Sequence, residues 1–148
     1  MKRIILATVL GIQTKLVNNI LAHKKEISRF MTAKTSETNV DDLYETLLKE
    51  EDQLIVIKEV IQNANKGKHK DGKPNNFYIY KMSNLKSRKT FLIGIRDNKK
   101  NQWSNKQINE RIKLIDNEIH KIDNKLTFFN SSKKVRVAIN PELNLLPE

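Results

Sequence analysis

Apolar side chains recur along this chain mostly in steps of three and four, the spacing of one face of an α-helix. Leu6, Val9, Leu10, Leu16, Val17, Ile20, Ile27 and Phe30 form the first stripe and predict a helix to Met31, with Ile4–Leu10 in its opening turns. The polar stretch Thr32–Asn39 reads as a loop. Thr38 or Asn39 then offers an N-cap, and Asp41 and Asp42 sit where the helix dipole favours negative charge. Leu43, Leu47, Leu54, Ile57 and Ile61 carry a second stripe to Asn65. Two such helices on a short loop predict an antiparallel hairpin over residues 4–65.

Residues 65–76 contain no apolar side chain, and Asp71-Gly72 marks a tight turn there. Phe77-Tyr78-Ile79-Tyr80 has strand propensity, so a short β-ribbon is expected. A third helix would follow, capped by Ser83, with Leu85, Phe91, Leu92 and Ile95 on its buried side. Asp97–Gln102 breaks the pattern again. The last helix carries the sharpest signal: Ser104 and Gln107 have capping-box spacing. Ile108, Ile112, Ile115, Ile119, Ile122, Leu126 and Phe129 then form an a/d heptad seam. Such a seam implies a partner, either the first hairpin or another subunit. Val135, Val137 and Ile139 alternate within Lys133–Asn140 and predict a strand, which would join Phe77–Tyr80 or pair with a neighbouring molecule. Leu143, Leu145 and Leu146 are available to dock the tail. The expected fold is mainly α, with a minor β-ribbon. A helical domain over 1–132 would comprise the hairpin, a basic loop, strand and helix over 66–100, and the heptad helix over 104–130. A C-terminal strand and tail would occupy 133–148.

The chain has 148 residues, the length of one domain, and no cysteine, which excludes disulfides, thiolate metal sites and a Cys nucleophile. Its formal net charge is +11, and the excess is concentrated. Residues 65–106 hold twelve basic and two acidic side chains, whereas residues 1–64 hold nine of each. Self-repulsion of that density favours an anion on the surface: phosphate backbone, an acidic protein face or anionic lipid. A solvated Lys-rich face accounts for the same letters. Lys66, Lys68, Lys70, Lys73, Lys81, Lys86, Arg88 and Lys89 are the residues that would face the anionic partner. For nucleic acid, Lys81, Lys86, Arg88 and Lys89 would neutralise phosphates while Phe77, Tyr78 and Tyr80 stacked on bases. Only two of the six arginines, Arg88 and Arg96, lie in this segment, and no helix-turn-helix, RNP or finger motif appears, so such binding would be non-specific. No run approaches the ~20 apolar residues of a membrane helix, and the basic segment is not one amphipathic helix. Lys2-Arg3 before an apolar run resembles a signal peptide, but Thr8, Gln13 and Lys15 interrupt it and no small-x-small site follows.

Catalytic motifs are wanting. Gly67 to Lys73 matches seven positions of a phosphate loop, but Pro74 stands where a Ser or Thr hydroxyl is needed. His23 with Glu26, and Asp116 with His120, read as surface hydrogen bonds rather than metal ligands. Glu50, Glu51 and Asp52 read as a solvated helix face, and Trp103 as a staple on the last helix. The expectation is a non-enzyme with no metal and no cofactor.

The order of parts is similar to a known group. A helical hairpin ends in Ile61-Gln-Asn-Ala64-Asn65, a polar Gly-containing turn and short β segment follow, and a helix begins near Met82-Ser83-Asn84-Leu85-Lys86-Ser87-Arg88. Over about residues 5–96 this resembles small helical proteins of unknown function encoded by tailed bacteriophages. The resemblance implies a virus-encoded, non-enzymatic protein, found in the virion or host cytoplasm. The function expected is that of an auxiliary, capsid-associated component that binds an acidic protein surface or packaged DNA through the basic segment, possessing protein partners and able to form a homo-oligomer. The alternative is a non-specific nucleic-acid-binding protein.

Overall fold

In the computed structural model, which describes residues 1–32, 39–96 and 102–147, the first apolar stripe is α1 (Leu6–Thr32) and the second is α2 (Val40–Ala64). The two pack side by side as the expected hairpin. Leu6, Val9, Leu16 and Ile57 are fully enclosed and form its centre. Asn39 caps α2, its side-chain oxygen accepting from the Asp41 amide at 3.0 Å. Thr38, the other candidate cap, lies outside the described residues, as does most of the loop read between Thr32 and Asn39.

The start of the chain departs from expectation. Lys2–Ile5 does not open a helix but forms strand β1, antiparallel to β2 (Lys134–Val137) with Arg3 opposite Arg136 and Ile4 opposite Val135. The C-terminal strand therefore pairs with the chain's own N-terminus, rather than with Phe77–Tyr80 or a neighbour. An exposed strand edge needs a ladder partner, and the β-branched Ile4-Ile5 supplies one. Gln53 of α2 fixes the segment after β2: its amide donates to Ala138 O at 2.9 Å and its oxygen accepts from Asn140 N at 2.7 Å. The tail then makes a 3₁₀ turn at Pro141–Leu143, capped by the Asn140 side chain, and buries Leu145.

This arrangement divides the chain differently from the boundaries expected at 1–132 and 133–148. One compact unit is Met1–Ala64 with Ser132–Glu148, and the other is Asn65–Ser131.

In the second unit, α3 (Asn75–Arg96) and α4 (Asn105–Ser132) pack together. Phe77–Tyr80 is the first turn of α3, not a strand, and Ser83 lies inside the helix rather than capping it. Pro74 sets the start: its fixed φ suits a helix entrance, and its carbonyl accepts from the Phe77 amide at 3.0 Å. Strand propensity loses because Tyr78, Met82, Leu85 and Leu92 all land on the face that meets α4. That face fills the heptad seam. Ile108, Ile112, Ile115 and Ile122 are buried against it, with Ile119 and Leu126 partly buried beside them, and Phe129 is buried near the C-terminal end. Within this unit it is α3 that lines the seam, a partner the sequence alone did not single out. Phe91, expected inside, is 63% exposed. The capping box forms as expected: Gln107 N donates to Ser104 Oγ at 3.2 Å, and Ser104 N to Gln107 Oε1 at 2.9 Å. The polar break after Asp97 lies largely outside the described residues.

Candidate interaction site

The basic turn is held by its own atoms. Gly72 takes a positive φ of 83°, which glycine adopts without strain, and Lys68 bridges Pro74 across a miniature hairpin. The amides of His69, Gly72 and Asn75 all donate to carbonyls within the turn, and that of Lys73 donates to Asp71 Oδ1. These N–H groups therefore cannot cradle a phosphate. The preceding element is also a helix, where a nucleotide loop follows a strand.

Asn75, 1% exposed, is the keystone. Its Oδ1 accepts from His69 Nε2 at 2.8 Å, and its Nδ2 donates to Asn65 Oδ1 at 3.0 Å. His69 stacks on Phe129 with ring centres 5.1 Å apart, and meets Tyr78 edge-on at 4.8 Å. The Tyr78 hydroxyl donates a hydrogen bond to Asp71, and Lys125 donates to the same hydroxyl at 3.1 Å. Those contacts, the Tyr78 bond foremost, hold the Asp71 carboxyl down at about 2. His69 and Asp71 are thus structural.

The exposed flank of α3 is different. Steps of three and four place Phe77, Tyr80, Asn84, Arg88 and Phe91 on one stripe. Phe77, Tyr80 and Phe91 are 37%, 67% and 63% exposed. Phe77, Tyr80, Lys81, Asn84 and Arg88, with Glu118 of α4, line a groove of about 480 Å³. Lys73 stands over the Phe77 ring at 4.4 Å and so links the turn to this groove. Exposed aromatics beside cations are a ready surface for a partner that is part apolar and part anionic.

The eight basic residues are not equivalent. Lys81 and Lys89 reach across to α4, pairing with Glu118 at 3.2 Å and Asp116 at 2.7 Å on opposite flanks of the seam. Asp116 therefore serves Lys89 rather than His120. Lys66, Lys68 and Lys70 project from the turn, and Lys86 from another side of α3, without salt bridges among the described residues. Only Lys81 and Arg88 line the groove. The sequence reading placed Phe77 and Tyr80 on a strand and Phe91 in the core, so it missed their common stripe. The 77, 80, 84, 88, 91 spacing is the signal that would have revealed it.

In the first unit, His23 and Glu50 depart from expectation. His23 Nδ1 lies 2.5 Å from Glu50 Oε1 rather than pairing with Glu26, and Glu50 is buried, not part of a solvated acidic face. Trp103 lies under the Arg111 guanidinium, 4.3 Å from the ring centre.

No protein-family model, curated protein or solved structure matches the chain. The surface chemistry alone therefore carries the functional reading. Among the described residues no group of His, Asp and Glu side chains could hold a metal ion, and no helix is long and apolar enough to cross a membrane.

Proposed function

We propose that the protein is a non-enzymatic interaction protein whose third helix grips an acidic protein surface. The observation that carries this reading is the α3 stripe, where three exposed rings alternate with Arg88 and adjoin Lys81. Aromatic and Arg side chains are the usual anchors of protein interfaces, because they bury large area while keeping a polar handle. The Glu118 carboxylate within the groove favours a partner that brings discrete charges over a continuous phosphate chain. The setting we propose, on the resemblance of residues 5–96, is an auxiliary position in a bacteriophage particle.

A second reading rests on the same rings: bases could stack on Phe77, Tyr80 and Phe91 while Lys81 and Arg88 met phosphates. The two separate in one experiment. Fluorescence anisotropy of labelled poly-L-glutamate and of oligo-thymidine is followed with the full chain and with its Lys81→Glu/Arg88→Glu and Tyr80→Ala/Phe91→Ala variants. The proposal expects polyglutamate to bind and both variants to weaken it. Tight oligo-thymidine binding with a salt slope reporting several phosphates would instead establish the nucleic-acid reading.

A further inference from the structure

A second exposed apolar stripe lies on α2, and its chemistry is the complement of the one on α3. Tyr44, Leu48 and Ile55 are 53%, 42% and 59% exposed, on the flank of α2 opposite the buried Gln53 and Ile57. Glu45, Asp52 and Glu59 run beside them at intervals of seven residues. None of these three carboxylates is in a salt bridge among the described residues. On α3, Lys81 and Arg88 are likewise seven residues apart and flank Tyr80 and Phe91.

The lengths also agree. Tyr44 to Ile55 and Tyr80 to Phe91 each span eleven residues, about 16 Å at the α-helical rise. On α2 the apolar row runs beside three carboxylates at heptad spacing, with exposed Lys58 on its other edge; on α3 the rings of Tyr80 and Phe91 bracket Asn84 and Arg88, with Lys81 and Arg88 at the same spacing and Glu118 beside them. That is the layout by which two helices choose each other, the apolar row supplying burial and the flanking charges the register. Ser83, Ser87 and Gly94 lie along the far edge of the α3 stripe, where small side chains permit close approach.

From this complementarity we infer that the acidic partner of α3 is α2 of a second copy of this chain. The inference rests on the proposed function and names its partner. The contact is heterologous, since it joins two different patches, so a joined pair retains one unused face of each kind, α2 on one copy and α3 on the other. Copies therefore add until a ring closes or a chain extends. Lys81 exchanges Glu118 for Asp52 or Glu59 on docking, and Arg88, without a salt bridge among the described residues, gains a carboxylate.

Sedimentation and light scattering of the full chain test this. Wild-type protein is expected to associate with rising concentration, and less so at high salt. Asp52→Lys/Glu59→Lys and Lys81→Glu/Arg88→Glu should each weaken association about tenfold or more, with helix content by circular dichroism unchanged. Mixing the two variants should restore association, because each then offers the face that the other needs. A monomeric wild type, or a mixture no better than its components, overturns the inference. If that monomer still binds polyglutamate through Lys81 and Arg88, the proposed function survives with a different acidic partner. Binding to neither polyglutamate nor itself overturns both.

Discussion

At the scale of single residues, polar side chains do structural work in places that composition alone would assign to solvent. Asn75 satisfies His69 and Asn65 at once while excluded from water. Asn75→Ala leaves both neighbours short of a partner, so it should lower unfolding free energy by about 1–3 kcal/mol, read from urea titration. Asp71 illustrates the same point through pH. Its carboxyl is held at about 2, below the ordinary 3.8, by Tyr78, the Lys73 amide and Lys125. A depressed carboxyl contributes stability above its unfolded value and loses it as pH falls through the folded one. Asp71→Asn should therefore be less stable than wild type at neutral pH, and the two thermal midpoints should converge between about pH 4 and about pH 2. A Tyr78→Phe variant should move the Asp71 carbon-13 titration back towards 3.8.

At the scale of elements, α3 and α4 show how one pattern can be read correctly while its partner is misassigned. The steps of four and three from Ile108 to Phe129 make a helix with one apolar seam, and α4 is that helix. What fills the seam depends on α3 starting at Asn75, and its first turn has the letters of a strand. Tyr78 and Met82 reach the α4 face only if Phe77–Tyr80 is helical, and burying them outweighs local propensity. Ile115→Ala should accordingly lower stability by about 2–5 kcal/mol, whereas Leu114→Ala, one residue away but 68% exposed, should change it by less than about 0.5 kcal/mol. Chemical denaturation of both variants checks the seam's orientation.

At the scale of the whole molecule, the uneven charge predicts a response to salt. Twelve of the 28 basic side chains fall within residues 65–106 against two acidic ones, and among the described residues Lys66, Lys68, Lys70 and Lys86 are in no salt bridge. Raising salt from about 0.1 M to about 1 M shortens the screening length from about 10 Å to about 3 Å. The thermal midpoint should rise over that range, and Lys66→Glu/Lys68→Glu/Lys70→Glu should remove most of the rise. What the sequence determined by itself was whatever depends on neighbours a few positions away: the stripes of α1, α2 and α4, the Asn39 cap, the Ser104–Gln107 box and the Asp71-Gly72 turn. Helical periodicity and capping are short-range physics, so their signals are written locally. Tertiary structure alone decided that β1 exists, that β2 finds it across more than 120 residues, that Glu50 meets His23, and that Phe91 faces water. Each of these turns on which surfaces meet, and a pairing between distant segments leaves no mark in either segment on its own. The same holds for the aromatic stripe of α3, whose residues share a face only once their first turn is known to be helical.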